Sequence, residues 1–148
     1  MSLNRAMVGH VSAAFSLPVE ASRLRLFAKA IGETDPVYTD EAAARAAGHP
    51  GLPVPPTYLF CLESESPHAH QLREQLGIDY QRLLHGEQRF KYHRMCFAGD
   101  TLSFRQRIAD IYDKKGGALE FAVRETAVHN QRGEPVATLI NTLVQRNG

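Results

Sequence analysis

Residues 33–38 read Glu33-Thr34-Asp35-Pro36-Val37-Tyr38, which puts two carboxylates and a phenol on one polar loop around a proline. Carboxylates can take or give protons in general acid–base work when they are positioned against a substrate. A phenol, with an ordinary pKa of about 10, is protonated at neutral pH. It can donate a proton or hydrogen-bond a carboxylate, but it cannot accept a proton as an imidazole would. The same loop also has a purely structural reading: Asp35-Pro36 makes a turn, and Tyr38 packs with its hydroxyl on nearby backbone. His85 is a second candidate base, with Glu87 two residues on. In a strand the two would share a face, close enough to orient one another, although a wet strand face explains them as well. Downstream of Pro55-Pro56, which lack N–H groups, Thr57 and Tyr58 can present free amides to a developing negative charge at a helix start. Glu63 and Glu65 add two carboxylates near the end of that helix, where Ser64, Ser66 and Pro67 suggest exposure.

These groups must be held by elements that the pattern lays out in order. Leu24, Phe27, Ala28 and Ile31 recur at helical spacing and predict a helix over 20–31, stopped by Gly32. A short helix follows at 41–47, with Asp40 placed to cap it and Gly48 to end it. The stretch to Pro56 holds four prolines and two glycines and reads as a rigid irregular loop. A helix begins near Pro55-Pro56-Thr57 and runs through Tyr58, Leu59 and Leu62, because proline is tolerated in a first turn. Ser66-Pro67 restarts a second helix, ended by Gly77. After Leu84 the signal turns to strands. Gln88, Phe90 and Tyr92 alternate with Glu87, Arg89, Lys91 and His93, and three longer strands occupy roughly 101–113, 118–129 and 135–146. The turn signals between them are Lys115-Gly116-Gly117 and Asn130-Gln131-Arg132-Gly133. Leu102, Phe104 and Ile108 share one face before Ala109 and Ile111 take the other. In the next strand Leu119, Phe121 and Val123 give way to Val128. Both phase breaks predict bulges and hence a curved sheet. Helices followed by an antiparallel meander make an α+β order, with a sheet that must wrap something apolar.

Composition bounds the function. With 148 residues and no repeat or linker, positions 1–148 read as one domain, long enough to bury a core. Hydrophobic residues at 43% and charged residues at 22% are a globular balance. A net charge of +1 with no basic cluster argues against a nucleic-acid partner. No apolar run approaches the roughly 20 residues that span a bilayer. Met1-Ser2-Leu3-Asn4-Arg5 lacks the apolar core of a signal peptide, so a cytoplasmic location is expected. Cys61 and Cys96 stand far apart and read as reduced, packed thiols. The seven histidines show no metal-binding frame, and His68 and His70, two apart on a helix, point in different directions.

Three segments resemble the MaoC-like hydratase/dehydratase family, in its N-terminal dehydratase branch. Phe27 to Tyr38 is similar to the family's opening loop, and Pro55-Pro56-Thr57-Tyr58 to the start of its central helix. Leu84 to Arg94, with Gly99-Asp100-Thr101-Leu102 behind it, is similar to the first sheet strand. Together they cover about residues 25–146. The resemblance implies a hot-dog fold: a curved antiparallel sheet wrapped around one long central helix, paired side by side with a second such unit. It also implies acyl thioesters of coenzyme A or acyl carrier protein as substrates. The implied reaction is hydration of an enoyl thioester, or dehydration of a 3-hydroxyacyl thioester, without metal or redox cofactor. Active members carry Asp-x-Asn-Pro-x-His. Here Glu33 stands in the place of the Asp, Asp35 in that of the Asn, and Tyr38 in that of the His.

The resulting expectation is a substrate-holding subunit with a degenerate catalytic loop. It would pair as a homodimer, or as a heterodimer with a MaoC-like subunit that carries the intact residues. Thr57, Tyr58, His85 and Arg89 are then the substrate-binding candidates, with Arg89, Lys91, His93 and Arg94 available to the phosphates of coenzyme A or a phosphopantetheine arm. Three alternatives stay open. One is a self-sufficient homodimeric hydratase using Glu33 or His85. Another is a hot-dog thioesterase using Glu63 or Glu65, and the last is a non-catalytic acyl-thioester-binding protein.

Overall fold

The computed structural model describes residues 2–148. A short strand β1 (Phe15–Pro18) leads into α1 (Ala21–Ala30), whose Leu24 and Ala28, four residues apart, are its buried positions. Gly32 ends the run with φ near 72°, a backbone that favours glycine. α2 (Glu41–Ala46) begins as expected at Asp40, whose carboxylate accepts from the Ala42 N–H at 2.9 Å.

The central helix is divided. α3 (Tyr58–Glu63) and α4 (Ala69–Leu76) are separated by the turn at Ser66-Pro67, where the sequence places a restart. The unbroken central helix of the family resemblance is therefore not formed here. Pro67 has no N–H to offer and its ring crowds the preceding turn. The Ser64 hydroxyl donates back to the Phe60 carbonyl at 2.8 Å. No helix among the described residues is long and apolar enough to cross a membrane.

The rest is sheet: β2 (Leu83–Tyr92), β3 (Thr101–Lys114), β4 (Leu119–His129) and β5 (Pro135–Arg146). All pairings are antiparallel, in the order β1-β3-β4-β5-β2, so β1 and β2 are the edges. The three long strands stand within two residues of their expected limits, and the fold is the α+β hot-dog. β3 carries the expected bulge between Ile108 and Asp110, which returns Ile111 to the inner face with Ile108.

β4 departs from expectation. It has no mid-strand bulge, and its inner face is the even-numbered set Glu120, Ala122, Arg124, Thr126 and Val128. Leu119, Phe121 and Val123 lie on the outer face, where Phe121 stacks on Tyr112 with ring centroids 4.8 Å apart. The polar inner residues have buried partners. Glu63, 2% exposed at the end of α3, receives hydrogen bonds from the Thr126 hydroxyl and, at 3.2 Å, from Gln106 Nε2. Its Oε1 also lies 3.3 Å from Arg124 Nε, an ion pair without hydrogen-bond alignment. Burial holds the Arg124 guanidinium below its ordinary value, and Glu63 opposes that shift. Glu120 accepts from the Leu3 N–H at 3.2 Å and from Asn147 Nδ2 at 2.8 Å.

This polar seam divides the core. On one side Leu24, Leu52, Leu59 and Leu62 pack against Leu102, Phe104, Val128 and Leu139. On the other, Leu72 and Leu76 of α4 pack against Ile108, Ile111, Ala122 and Leu143.

β2 has a bulge of its own at Gly86, between His85 (opposite Leu143) and Glu87 (opposite Thr142). A Cβ there would sit 2.5 Å from Val144 Cγ2, inside van der Waals contact, so the bulge requires glycine.

Two outcomes follow for stability. Glu63→Ala strands a buried guanidinium and is expected to lower unfolding free energy by about 3–5 kcal/mol, while Glu63→Met with Arg124→Met recovers most of it. Denaturant midpoints at constant slope measure both; a single variant within about 1 kcal/mol of native would show the pair to be idle. Gly86→Ala is expected to destabilise by about 1–3 kcal/mol through overpacking against Val144, read as a lowered melting temperature.

Candidate functional site

The loop after α1 spends its carboxylates on its own backbone. Glu33 Oε1 accepts from the N–H groups of Thr34 and Asp35, each at 3.0 Å. Asp35 Oδ1 accepts from the Val37 N–H at 3.1 Å and caps the single 3₁₀ turn Pro36–Tyr38. That turn swings the half-buried Tyr38 onto the wall of a cavity of about 340 Å³. Pro55, Pro56 and Leu59 line it from the start of α3, and Tyr92 and His93 from the end of β2. The Tyr92 hydroxyl donates to the Pro56 carbonyl at 2.8 Å and ties those two walls together. Glu33 and Asp35 are not among the lining residues.

The sequence reads Tyr92 only as a strand residue, and His93 as a strand residue available to phosphates. Nothing in their spacing signals the cavity, because it arises where the end of β2 meets the proline segment. The His93 ring is already engaged, its Nε2 lying 3.0 Å from Thr138 Oγ1. Cys96 also lines the cavity, but burial pushes its thiol up to about 12, so it stays protonated and is a poor nucleophile.

The helix-start donors are reduced to one candidate. Tyr58 N–H is taken by the Pro55 carbonyl at 3.0 Å. The Tyr58 ring is buried, 5.1 Å from Phe27 and 6.0 Å beneath the Arg23 guanidinium. Burial raises its phenol pKa, with Arg23 pulling the other way. Tyr58 is therefore a core residue. Thr57 is exposed and makes no side-chain cap, so it remains accessible.

The expected His85–Glu87 pair does not form. With Gly86 bulged out, the two residues face opposite sides of the sheet. His85 turns inward, its ring edge-on to Phe60 at 6.4 Å. Glu87 turns outward and pairs with Arg89 at 2.9 Å, so Arg89 lies on the outer face with its charge met. The expected exposure holds for Glu65 and needs correction for Glu63. Glu63 points beneath α3 into the sheet, as described above. Glu65 holds Arg23 through both guanidinium nitrogens at 2.9 and 3.1 Å, which raises the Arg23 pKa.

Thr57 and His85 instead lie along the seam between α3 and the edge strand β2, on two grooves that share Phe60 and Gln88. Thr57 lines a groove with Phe27, Phe60, Cys61, Gln88 and Phe90. His85 lines its continuation with Phe60, Gly86, Gln88 and Asn141. The arrangement can receive an apolar ligand and donate hydrogen bonds to it. No carboxylate is among the residues lining the cavity of Tyr38, and the one imidazole there, that of His93, has its Nε2 on Thr138.

Comparison with known proteins agrees with this geometry. Residues 6–139 match the family described as the FAS1-like dehydratase domain region. A UPF0336 protein of Streptomyces coelicolor is 39% identical over 150 residues, covering 99% of this chain and 97% of its own. Among solved structures, the C-terminally truncated HadBC (3R-hydroxyacyl-ACP dehydratase) complex of Mycobacterium tuberculosis superposes with a TM-score of 0.77 at 26% identity, covering 93% of this chain and 96% of the matched one. A MaoC-like dehydratase reaches 0.85 at 26% identity over 96% of this chain, which spans 43% of that longer polypeptide. Sheet order, loop, helix start and relatives agree: the chain belongs to the MaoC-like hot-dog dehydratases, in the group of the FAS1-like dehydratase domain region.

Proposed function

We propose that this chain is the substrate-holding half of an enoyl-thioester hydratase, or 3-hydroxyacyl-thioester dehydratase, whose proton transfers are made by a partner hot-dog subunit. In hydration the water oxygen bonds to C3, its proton leaves to a base, C2 takes a proton from an acid, and the thioester stays intact. A base poised near neutral pH is therefore required. The observation that carries the reading is the state of the 33–38 loop: the Glu33 carboxylate serves two backbone amides, and Tyr38 stands where an imidazole would be needed. The fold of the loop is kept and its chemistry is not. The likeness to one subunit of a two-component complex supports a partner that supplies the missing groups.

The assay follows loss of the conjugated chromophore of a trans-2-enoyl thioester. The native chain alone is expected to fall below a family member with intact Asp and His by at least about 10²-fold, the low end of general acid–base catalysis. Tyr38→His alone is expected to restore little, because Glu33 remains bound to the backbone; Glu33→Asp with Tyr38→His is the fuller repair. Native activity near that of the intact member would defeat the reading, and its loss in His85→Ala would identify His85 as the base. Adding a mate with intact residues is expected to raise activity above the mate's own level, and no gain would leave a protein that only binds.

The edge strand β2 offers ten residues of unpaired backbone edge, with Leu84 and Tyr92 about half exposed. Edges of this length are ordinarily covered, and side-by-side pairing covers this one. A dimer is expected by light scattering at micromolar concentration, and a monomer would refute the pairing.

A further inference from the structure

We propose that the Tyr38 cavity is a thioester-binding site in its own right, one that holds the thioester carbonyl on the Tyr38 hydroxyl and releases it unreacted. The inference rests on the acyl-thioester reading above and adds a second site to it. The mate's reaction site turns substrate over, and this one does not.

Most hydrogen-bonding groups on the cavity wall are spent within the protein. Pro55 and Pro56 carry no N–H. The N–H groups of His93 and Arg94 both go to the Val136 carbonyl, at 2.8 and 3.1 Å, and that of Val54 goes to the Cys96 carbonyl at 3.0 Å. The Tyr92 hydroxyl is taken by the Pro56 carbonyl, and His93 Nε2 lies on Thr138. The Arg94 guanidinium pairs with Glu134 at 3.0 Å. The Tyr38 hydroxyl, by contrast, has no hydrogen-bond partner among the described residues.

A neutral O–H donor therefore stands in a cavity shared with Val54, Leu59, Met95 and Val136. In such surroundings a donor bonds a carbonyl oxygen well and is costly to cover with a group that cannot accept. The guanidinium on the wall is already paired, so a neutral carbonyl matches the site better than a carboxylate. The donor is also held in place. Asp35 caps its turn, and the Pro36 carbonyl receives the N–H groups of Thr39 and Asp40 at 3.1 and 2.8 Å. Arg25 Nε donates to the Thr39 carbonyl at 3.0 Å and ties the loop to α1. A hydroxyl fixed before binding loses little freedom when the carbonyl arrives. The volume of about 340 Å³ is that of a small-molecule site and suits a thioester head with a short acyl chain. With no carboxylate on the wall and the imidazole on Thr138, a bound enoyl thioester lacks a base to activate water.

The test pairs one hydroxyl with one carbonyl. The probes are crotonyl-N-acetylcysteamine, isotopically labelled at the thioester carbonyl carbon, and its crotyl thioether, in which a methylene replaces that carbonyl. Calorimetry on the native chain is expected to give at least about fivefold tighter binding for the thioester than for the thioether. In Tyr38→Phe the two are expected to bind alike within about twofold, which isolates the hydroxyl–carbonyl contact. The infrared carbonyl band of the bound thioester is expected at lower wavenumber on the native chain than on Tyr38→Phe, and the thioester is recovered intact. The same preference in both proteins, or a band that does not move, would overturn the role of Tyr38. Should Tyr38→Phe fail to fold, the band on the native chain decides, against that of the free thioester in an apolar solvent: an unshifted band overturns the proposal. Consumption of the thioester by the chain would show a reaction site instead. If the short thioester does not bind but decenoyl-coenzyme A does, this inference fails and the substrate-holding reading stands. If neither binds, both fail.

Discussion

The Glu63–Arg124 pair beneath α3 is the constraint to which the rest of the structure answers. A carboxylate 2% exposed and a guanidinium from the middle of β4, its side chain 12% exposed, meet beneath the helix. Charges so buried persist only when hydrogen-bonded and paired, and Gln106 and Thr126 complete the shell. That requirement decides which face of β4 turns inward. It draws Arg124 and Thr126 under the helix and leaves Phe121 and Val123 outside. It also divides one apolar core into two, with α3 serving the first and α4 the second. A helix restarted at Ser66-Pro67 suits such a core, because each half can settle on its own cluster.

The candidate loop lies near the other end of α3, where the turn is kept and its residues differ from Asp-x-Asn-Pro-x-His. The loop at 33–38 still makes its turn, still caps itself through Asp35, and still delivers residue 38 to the cavity wall. What it delivers is a phenol, while the carboxylate that could have acted as base satisfies the backbone of its own turn. Holding the turn through its own amides is a local structural need that persists when catalysis is relaxed. Retention of the turn together with loss of the imidazole is what a subunit relieved of proton transfer, yet still needed for shape, would carry.

Much of the fold is legible in the residues. The limits of β3, β4 and β5 follow from alternation and from turns rich in glycine and asparagine. The capped start of α2, the stop at Gly32 and the restart at Ser66-Pro67 follow from local backbone chemistry, which depends on neighbours in sequence and needs no partner from afar. The place of the candidate loop is legible for the same reason: Asp35-Pro36 dictates its turn.

What only the tertiary structure decided are the properties that depend on which distant residues meet. An inward Arg124 contradicts hydrophobic alternation until Glu63, sixty-one positions earlier, is known to lie above it. The separation of His85 from Glu87 rests on a bulge at Gly86, set by its close approach to Val144 on the neighbouring strand. Tyr58 is withdrawn from the site by the ring of Phe27 and the Pro55 carbonyl, and His93 is brought to it by the register of β2. The sequence alone determined the elements and the altered residues of the loop, because turns and caps are local. Burial, facing and access are sums over contacts made across the sheet, so they existed only once the strands had paired.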